Sequence, residues 1–351
     1  MAALPSIDLR SDTVTVPDDE MRRAMAAADV GDDVLDHDPT MAALEEEVAA
    51  VLGMPAALWM PSGTMGNVAA LMMHLQRGDK FLAPEHAHVL GSELGSAAWL
   101  AQGMPEVLPH DGGPGRPTPA AVRAHVAPGP YFSLRTTLLC LENTHNFAGG
   151  TVTPVSEWRA LTAAAADSGL VVHLDGARLW NAAAASGVAP AELTTGATTV
   201  QVCLSKGLGA PVGSVLVSDA VRIAEARRIR KMLGGGVRQG GVLAAAGLVA
   251  LRSRDRLHDD HAHARLLADG LRERGWAVDH PETNIVLATT EDPAATVRAL
   301  AAAGVGAVTV AGRVRFVTHR GISTDDIHAA LAACAAFPTE FSTDAGAASP
   351  A

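Results

Sequence analysis

The sequence predicts an α/β protein in which a large, mostly parallel sheet domain is followed by a smaller α+β C-terminal domain. Three observations lead there. From about residue 40 to 220, helix-like and strand-like segments alternate, the pattern of a parallel sheet covered by helices. After "GVLAAAGLVAL" (241–251) the chain turns to a long charged helix and then short strands and helices in compact order. The length of 351 residues is ample for two cores. We place the boundary near residue 248. An N-terminal arm and the large domain would occupy 1–248 and the small domain 249–340. Residues 341–351, small, polar and unpatterned, read as a frayed tail.

Each element has a local reason. "ALEEEVAAVLG" (43–53) reads as a helix stopped by Gly53, and "AALWM" (56–60) as a short buried strand. "TMGNVAALMMHLQRG" (64–78) is a helix with its stop at Gly78. The glycine- and proline-rich "GMPEVLPHDGGPGRPTP" (103–119) reads as a loop. "VSEWRALTAAAADSG" (155–169) is a helix capped by Ser156 and ended by Gly169. "LVVHLD" (170–175), "TTVQVCLS" (198–205) and "GSVLVS" (213–218) are strands, and "DAVRIAEARRIRKML" (219–233) is a helix with its basic residues towards the C-terminal end. In the second domain, Ser323 and Asp326 form a capping-box pattern before "DIHAALAACAAF".

Composition narrows the function. The chain is 48% hydrophobic and 19% charged, the balance of a soluble globular protein. A formal charge of −11 disfavours nucleic acid and anionic membrane as partners. No basic leader precedes an apolar run, and no window approaches ~18 uninterrupted apolar residues. Cys140, Cys203 and Cys334 lie in apolar surroundings without paired spacing, which favours reduced thiols and a cytoplasmic location.

The chemistry-bearing candidates sit where strands end. "VCLSKGLGAP" (202–211) pushes Lys206 off an apolar strand into a glycine turn. The plainer reading is a surface lysine. The functional one is a Schiff-base lysine, partly desolvated so that its amine stays nucleophilic. "VHLDGAR" (172–178) ends a strand on Asp175, a helix cap or a carboxylate for a protonated ring nitrogen. Arg178 offers a fork for a substrate carboxylate. The 31 residues between Asp175 and Lys206 fit one helix and one strand, so both would reach one crevice. "PSGTMGN" (61–67) joins a strand to a helix N-terminus, where Ser62, Gly63 and Thr64 would meet a phosphate. It is not a Walker A loop, and "GLGAPVG" misses the dinucleotide fingerprint. A phosphate cradle, a carboxylate for a ring nitrogen, a lysine for an aldehyde and an arginine for a carboxylate together suit pyridoxal phosphate carrying an amino acid. His258, His261 and His263 in "HDDHAH" read as a solvated helix face, and no metal is assigned. Arg227, Arg228, Arg230 and Lys231 read as helix-end charges or an anion site near the cofactor.

Eight blocks, "IDLRSDTVT", "VGDDV", "PSGTMGN", "LENTHN", "HLDGAR", "CLSKGLGAPVGS", "RKMLGGGVRQ" and "VRFVTH", resemble the L-threonine aldolases of the fold-type I pyridoxal phosphate enzymes, with the aspartate aminotransferase fold. They run in register from residue 7 to about 319. The resemblance implies retro-aldol cleavage of L-β-hydroxy-α-amino acids to glycine and an aldehyde. Lys206 becomes the Schiff-base lysine and Asp175 the ring-nitrogen partner. Gly63, Thr64 and Arg238 become phosphate contacts, and His88 a ring-stacking histidine and candidate base, with Glu93 at the family spacing. Ser11, Arg178 and Arg315 become the holders of the substrate carboxylate. It also implies a homotetramer, a dimer of dimers with shared sites. The chain departs from the family at Leu35, Asp36 and His37, at Leu90, and at "PYFSLRT", where Tyr131 and Phe132 stand and a second histidine is missing. These changes are expected to reshape the aldehyde end of the pocket. Competing readings are β-elimination, racemisation or transamination on the same cofactor, and a non-catalytic binding module, which would have no use for Lys206.

Overall fold

Apolar runs too uniform for a one-sided strand fill the centre of the structure, because helices cover both faces of the sheet they form. The computed structural model describes residues 5–126 and 129–335. Its strands are Ile7–Asp8 (β1), Ala56–Met60 (β2), Lys80–Pro84 (β3), Met104–Leu108 (β4), Thr136–Glu142 (β5), Val171–Gly176 (β6), Thr199–Cys203 (β7), Ser214–Ser218 (β8), Ala277–Val278 (β9), Ile285–Thr289 (β10), Val305–Gly306 (β11), Val308–Val310 (β12) and Arg313–Val317 (β13). The large sheet has the order β2-β8-β7-β6-β5-β3-β4. The run from β4 to β7 is parallel, and β8 is antiparallel to both its neighbours. The structure is therefore α/β with a large, mostly parallel sheet.

Register sets the site. Glu142 pairs with Asp175, and Asp175 with Gln201, so the C-terminal ends of β5, β6 and β7 lie side by side. That edge is where open α/β sheets leave a crevice.

Most expected elements stand where local chemistry puts them. Helix Pro39–Val51 gives way to Gly53 at φ 63°, and Gly169 at φ 71° follows helix Val155–Asp167. Three expectations need correction. Residues 103–119 are not all loop, since β4 extends the sheet; Pro105 is tolerated there because β4 is an edge strand. Ser156 does not cap its helix, which starts at Val155 behind Pro154 without a side-chain cap. The charged helix Leu257–Glu273 is not simply solvated, since Asp260 and His261 are buried in it.

A second body holds the antiparallel sheet β12-β13-β10-β9. Leu267, Leu271, Val286, Phe316 and Ile327 form its core. β1 pairs with β11, and the fully buried Leu9 joins this second core, so the start of the chain packs with the C-terminal elements. Helix Gly241–Arg252 runs unbroken through residue 248 and buries Ala244, Ala246, Ala250 and Leu251 in the first core. The change in composition at 248 thus falls inside one helix. The capping box at Ser323 and Asp326 is formed. Among the described residues no helix is long and apolar enough to cross a membrane. The expected tail, 341–351, lies outside the described residues.

Candidate active site

Helix Gly63–His74 begins two residues after β2, and Ser62 caps it by accepting a hydrogen bond from the Met65 amide at 3.1 Å. Glycine is needed at its first turn. A Cβ on Gly63 would meet Cys203 Sγ at 2.9 Å, and one on Gly66 would meet Gln201 Cγ at 2.7 Å. With neither present, the helix N-terminus lies against β7 and its free amides open on a pocket of about 330 Å³. Ser62, Gly63, Thr64, His88, Asp175 and Lys206 all line it.

Six residues singled out from the sequence thus converge: Ser62, Gly63, Thr64, His88, Asp175 and Lys206. Lys206 is one of only three lysines in the chain. Lys80 is ion-paired with Glu106, and Lys231 is exposed on helix Ala220–Met232.

Asp175 is buried at the end of β6. It accepts from the Ala177 amide at 3.0 Å and from Asn67 Nδ2 at 2.8 Å. Asn67 donates equally to Glu93 Oε1 at 2.8 Å. With both amide protons spent on carboxylates, its Oδ1 accepts from His173 Nε2 at 3.1 Å. His173 Nδ1 therefore accepts from the Thr199 hydroxyl at 2.9 Å, and that oxygen accepts from His74 Nε2 at 3.0 Å. Burial pushes both imidazoles down, His173 to about 4 and His74 to about 3, so this line behind the sheet is neutral.

His88 follows a left-handed His86, and its amide donates to Glu142 at 2.7 Å. Its Nδ1 lies 2.8 Å from Glu93 Oε1, which leaves Nε2 as the ring nitrogen available to the pocket. Burial works against the charged ring, but the Glu93 bond and the charge of Asp175 outweigh it and raise its pKa. Burial raises Glu93 as well. Ligand atoms of His88, Glu93 and Asp175 lie within 4.8 Å of one another.

The expected carboxylate holders form a second group. Arg178 is buried, and its Nε and Nη2 grip Asp12 at 2.8 and 2.7 Å. Its Nη1 donates to Asn146 Oδ1 at 3.0 Å, and Arg315 Nη1 donates to the same oxygen at 2.9 Å. Burial and the neighbouring Arg178 bring Arg315 down to about 10, and its buried Nε has no partner. The two buried guanidiniums thus share one amide oxygen, and of the pair only Arg178 bonds a carboxylate, which leaves a net positive charge. Ser11 caps the turn Asp12–Val14, accepting from the Thr13 amide and hydroxyl, and Thr13 reaches the pocket wall.

Other expectations land elsewhere. Arg238 is 62% exposed, ion-paired with Asp32 at 3.3 Å and away from the pocket lining. Arg227 and Arg230 pair with Asp33 instead of an anion site. Leu35, Tyr131 and Phe132 are exposed, and neither they nor Leu90 line the pocket. His258 is exposed, His261 meets Asn181 and His263 meets Thr324, so they do not converge. Sequence reasoning missed Asp12, Asn67 and Asn146. All three stand inside blocks it singled out, but their partners are 166, 108 and 32 residues away.

The donor set suits pyridoxal phosphate: amides for a phosphate, a buried carboxylate for a ring nitrogen, an amine for an aldehyde, and a cavity of the right scale. Comparison with known proteins agrees. The beta-eliminating lyase family model matches residues 8–293. Low-specificity L-threonine aldolase 1 of Arabidopsis thaliana is 42% identical over 339 residues, covering 93% of this chain and 94% of that protein. Among solved structures, Leishmania major threonine aldolase superposes with a TM-score of 0.81 at 18% identity, covering 93% of this chain and 98% of that one. A structure of SPT with PLP gives 0.72 at 17% identity over 95% of this chain and 87% of its own. Those two likenesses speak for a shared fold.

Proposed function

We propose, since this chain belongs to the beta-eliminating lyase family and within it to the low-specificity L-threonine aldolases, that it cleaves L-threonine, L-allo-threonine or related L-β-hydroxy-α-amino acids to glycine and an aldehyde, and runs the reverse addition. Its cofactor is pyridoxal 5'-phosphate. The observation that carries this reading is the meeting of Lys206, Asp175, His88 and a helix N-terminus in one pocket.

The bound cofactor supplies an electron sink for the pair released when Cα–Cβ breaks. Lys206, on the pocket wall, would hold the cofactor through its aldehyde and be the group the substrate amine replaces. Asp175, oriented by the Ala177 amide and Asn67 Nδ2, would hold a proton on the ring nitrogen. Ser62, Gly63 and Thr64 would hold the phosphate, and the family resemblance would bring Arg238 to it from a neighbouring subunit, since within one chain Arg238 stands outside the pocket. The charge excess on Arg315 and Arg178, with Ser11 nearby, draws the substrate carboxylate. His88 Nε2 takes the β-hydroxyl proton, and Glu93 on Nδ1 steadies the imidazolium that results.

Leu35, Leu94, Trp99, Tyr131 and Phe132 are each at least 75% exposed, which supports a homo-oligomer; the family resemblance would make it a tetramer built as a dimer of dimers. Three buried, unpaired cysteines support a cytoplasmic location. Products from L-threonine test the reaction. Equimolar glycine and acetaldehyde are expected; ammonia with 2-oxobutyrate would instead indicate β-elimination.

A further inference from the structure

The turn that carries Lys206 is held at three consecutive carbonyls by side chains from three separate parts of the chain. Thr15 Oγ1 donates to the Lys206 carbonyl at 2.9 Å, Arg256 Nη1 to that of Gly207 at 3.1 Å, and Arg320 Nη1 to that of Leu208 at 3.0 Å. None of the three donors belongs to the large sheet or the helices packed on it. Thr15 follows the turn Asp12–Val14, Arg256 immediately precedes helix Leu257–Glu273, and Arg320 follows β13.

Both arginines are charge-balanced on the spot. Arg256 Nη2 donates to the buried Asp260 at 2.8 Å, and Arg320 is paired with Asp18. Glycines make room here. A Cβ on Gly209 would meet the Arg320 side chain at 2.5 Å, and one on Gly207 would meet Leu257, the residue after Arg256, at 2.9 Å. Gly207 and Leu208 are buried, so their carbonyls need partners, while the Lys206 carbonyl also accepts from the Gly209 amide at 2.8 Å. A hydroxyl from within the turn or a trapped water would satisfy that need. Two guanidiniums with private counter-ions from distant elements do more, because they tie the turn to segments far along the chain.

Thr15 adds a link. Its hydroxyl lies 2.9 Å from both the Asp12 and the Lys206 carbonyls. The segment that supplies Arg178 with its counter-ion thus also touches the lysine's own peptide.

We propose that Thr15, Arg256 and Arg320 are positioning residues that clamp the Lys206 turn, setting where its amine stands and where it returns after each turnover. This rests on the reading that Lys206 carries the cofactor. A shift of about 1 Å in a reacting group costs up to about a hundredfold in rate, so the clamp is expected to act on kcat more than on KM.

The test uses cofactor-loaded full-length protein in four forms: Thr15→Val, Thr15→Ser, Arg320→Met, and Arg256→Met combined with Asp260→Asn so that no lone charge is buried. Each is read by kcat and KM, and by the change in the visible cofactor band on titration with glycine. The arginine variants are expected to lose about tenfold in kcat with KM within about twofold of wild type, and to show an altered band and glycine midpoint. Thr15→Val is expected to lose about threefold and Thr15→Ser to recover it. Thr15→Val changes one hydroxyl only, so it decides the matter should an arginine variant fail to fold. Wild-type kcat, band and glycine midpoint in Thr15→Val and in whichever arginine variants fold would overturn the clamp. A wild-type protein whose visible band does not depend on Lys206 would overturn the underlying site reading instead.

Discussion

Removing the charge of Asp12 isolates the group behind the pocket. Asp12 is fully buried, and its two oxygens accept from Arg178 Nη2 and Nε at 2.7 and 2.8 Å. Burial alone would raise its pKa, but the charge and hydrogen bonds of Arg178 overcome that and bring it down from 3.8 to about 2. The drop corresponds to roughly 2 kcal/mol of stability. Because the folded value is the lower one, this contribution is complete above 3.8 and is lost as pH falls towards 2, so at neutral pH the protein has all of it. Asp12→Asn keeps the shape, but it leaves Arg178 and Arg315 buried without a carboxylate and turns an amide donor towards a guanidinium donor. Breaking a buried pair from one side costs about 3–5 kcal/mol. For a chain of this size that lowers Tm by about 5 °C at pH 7. An unanchored Arg178 should also raise KM for the amino acid about tenfold while kcat changes little. Thermal unfolding and steady-state kinetics on the loaded protein read both quantities. Adding Arg178→Met should recover part of the stability and none of the KM. An unchanged Tm, or a KM that falls because Asp12 had merely competed with substrate for Arg178, would refute the reasoning.

Three further outcomes follow from the same geometry. Gly63→Ala places a Cβ 2.9 Å from Cys203 Sγ, so the amides must shift, and Kd for pyridoxal phosphate should weaken about tenfold; an unchanged dialysis equilibrium would contradict this. His173 and His74 are neutral in the fold with pKa values near 4 and 3, so stability is complete above about 6.5 and is lost as pH falls towards 4; His74→Gln, which keeps a donor for Thr199, should make that acid limb of Tm shallower, and an identical limb would count against it. Ser323→Ala removes half of a formed capping box and should cost about 1 kcal/mol in denaturant unfolding, with kcat untouched.

Much of this was legible in the sequence where the controlling contacts are local or follow from topology. β6 and β7 are mostly apolar and buried because both faces are covered, and the chain leaving their C-terminal ends faces the crevice, which is why Asp175 and Lys206 stood out as they are placed. A helix N-terminus announced by serine and glycines was equally plain. What stayed hidden depends on partners far along the chain. Asn67 bonds across 26 and 108 residues to two carboxylates, and Asp12 across 166 to Arg178. Asp260 and His261 read as solvated because charge usually means solvent; Arg256 and Asn181, which cover them, were not visible as partners. Pro105 disguised an edge strand as loop. Arg238, Leu35, Tyr131 and Phe132 came from family pattern alone, and within one chain they stand away from the pocket.

The central claim is that Lys206, in the turn that follows β7, holds the cofactor aldehyde. Borohydride reduction of the loaded protein followed by peptide mass mapping tests it directly, because only Lys80, Lys206 and Lys231 compete among the side chains. The account predicts one pyridoxyl group per chain, on Lys206, and its disappearance when L-threonine saturates the site before reduction. A label on Lys80, on Lys231 or on none of the three would contradict it.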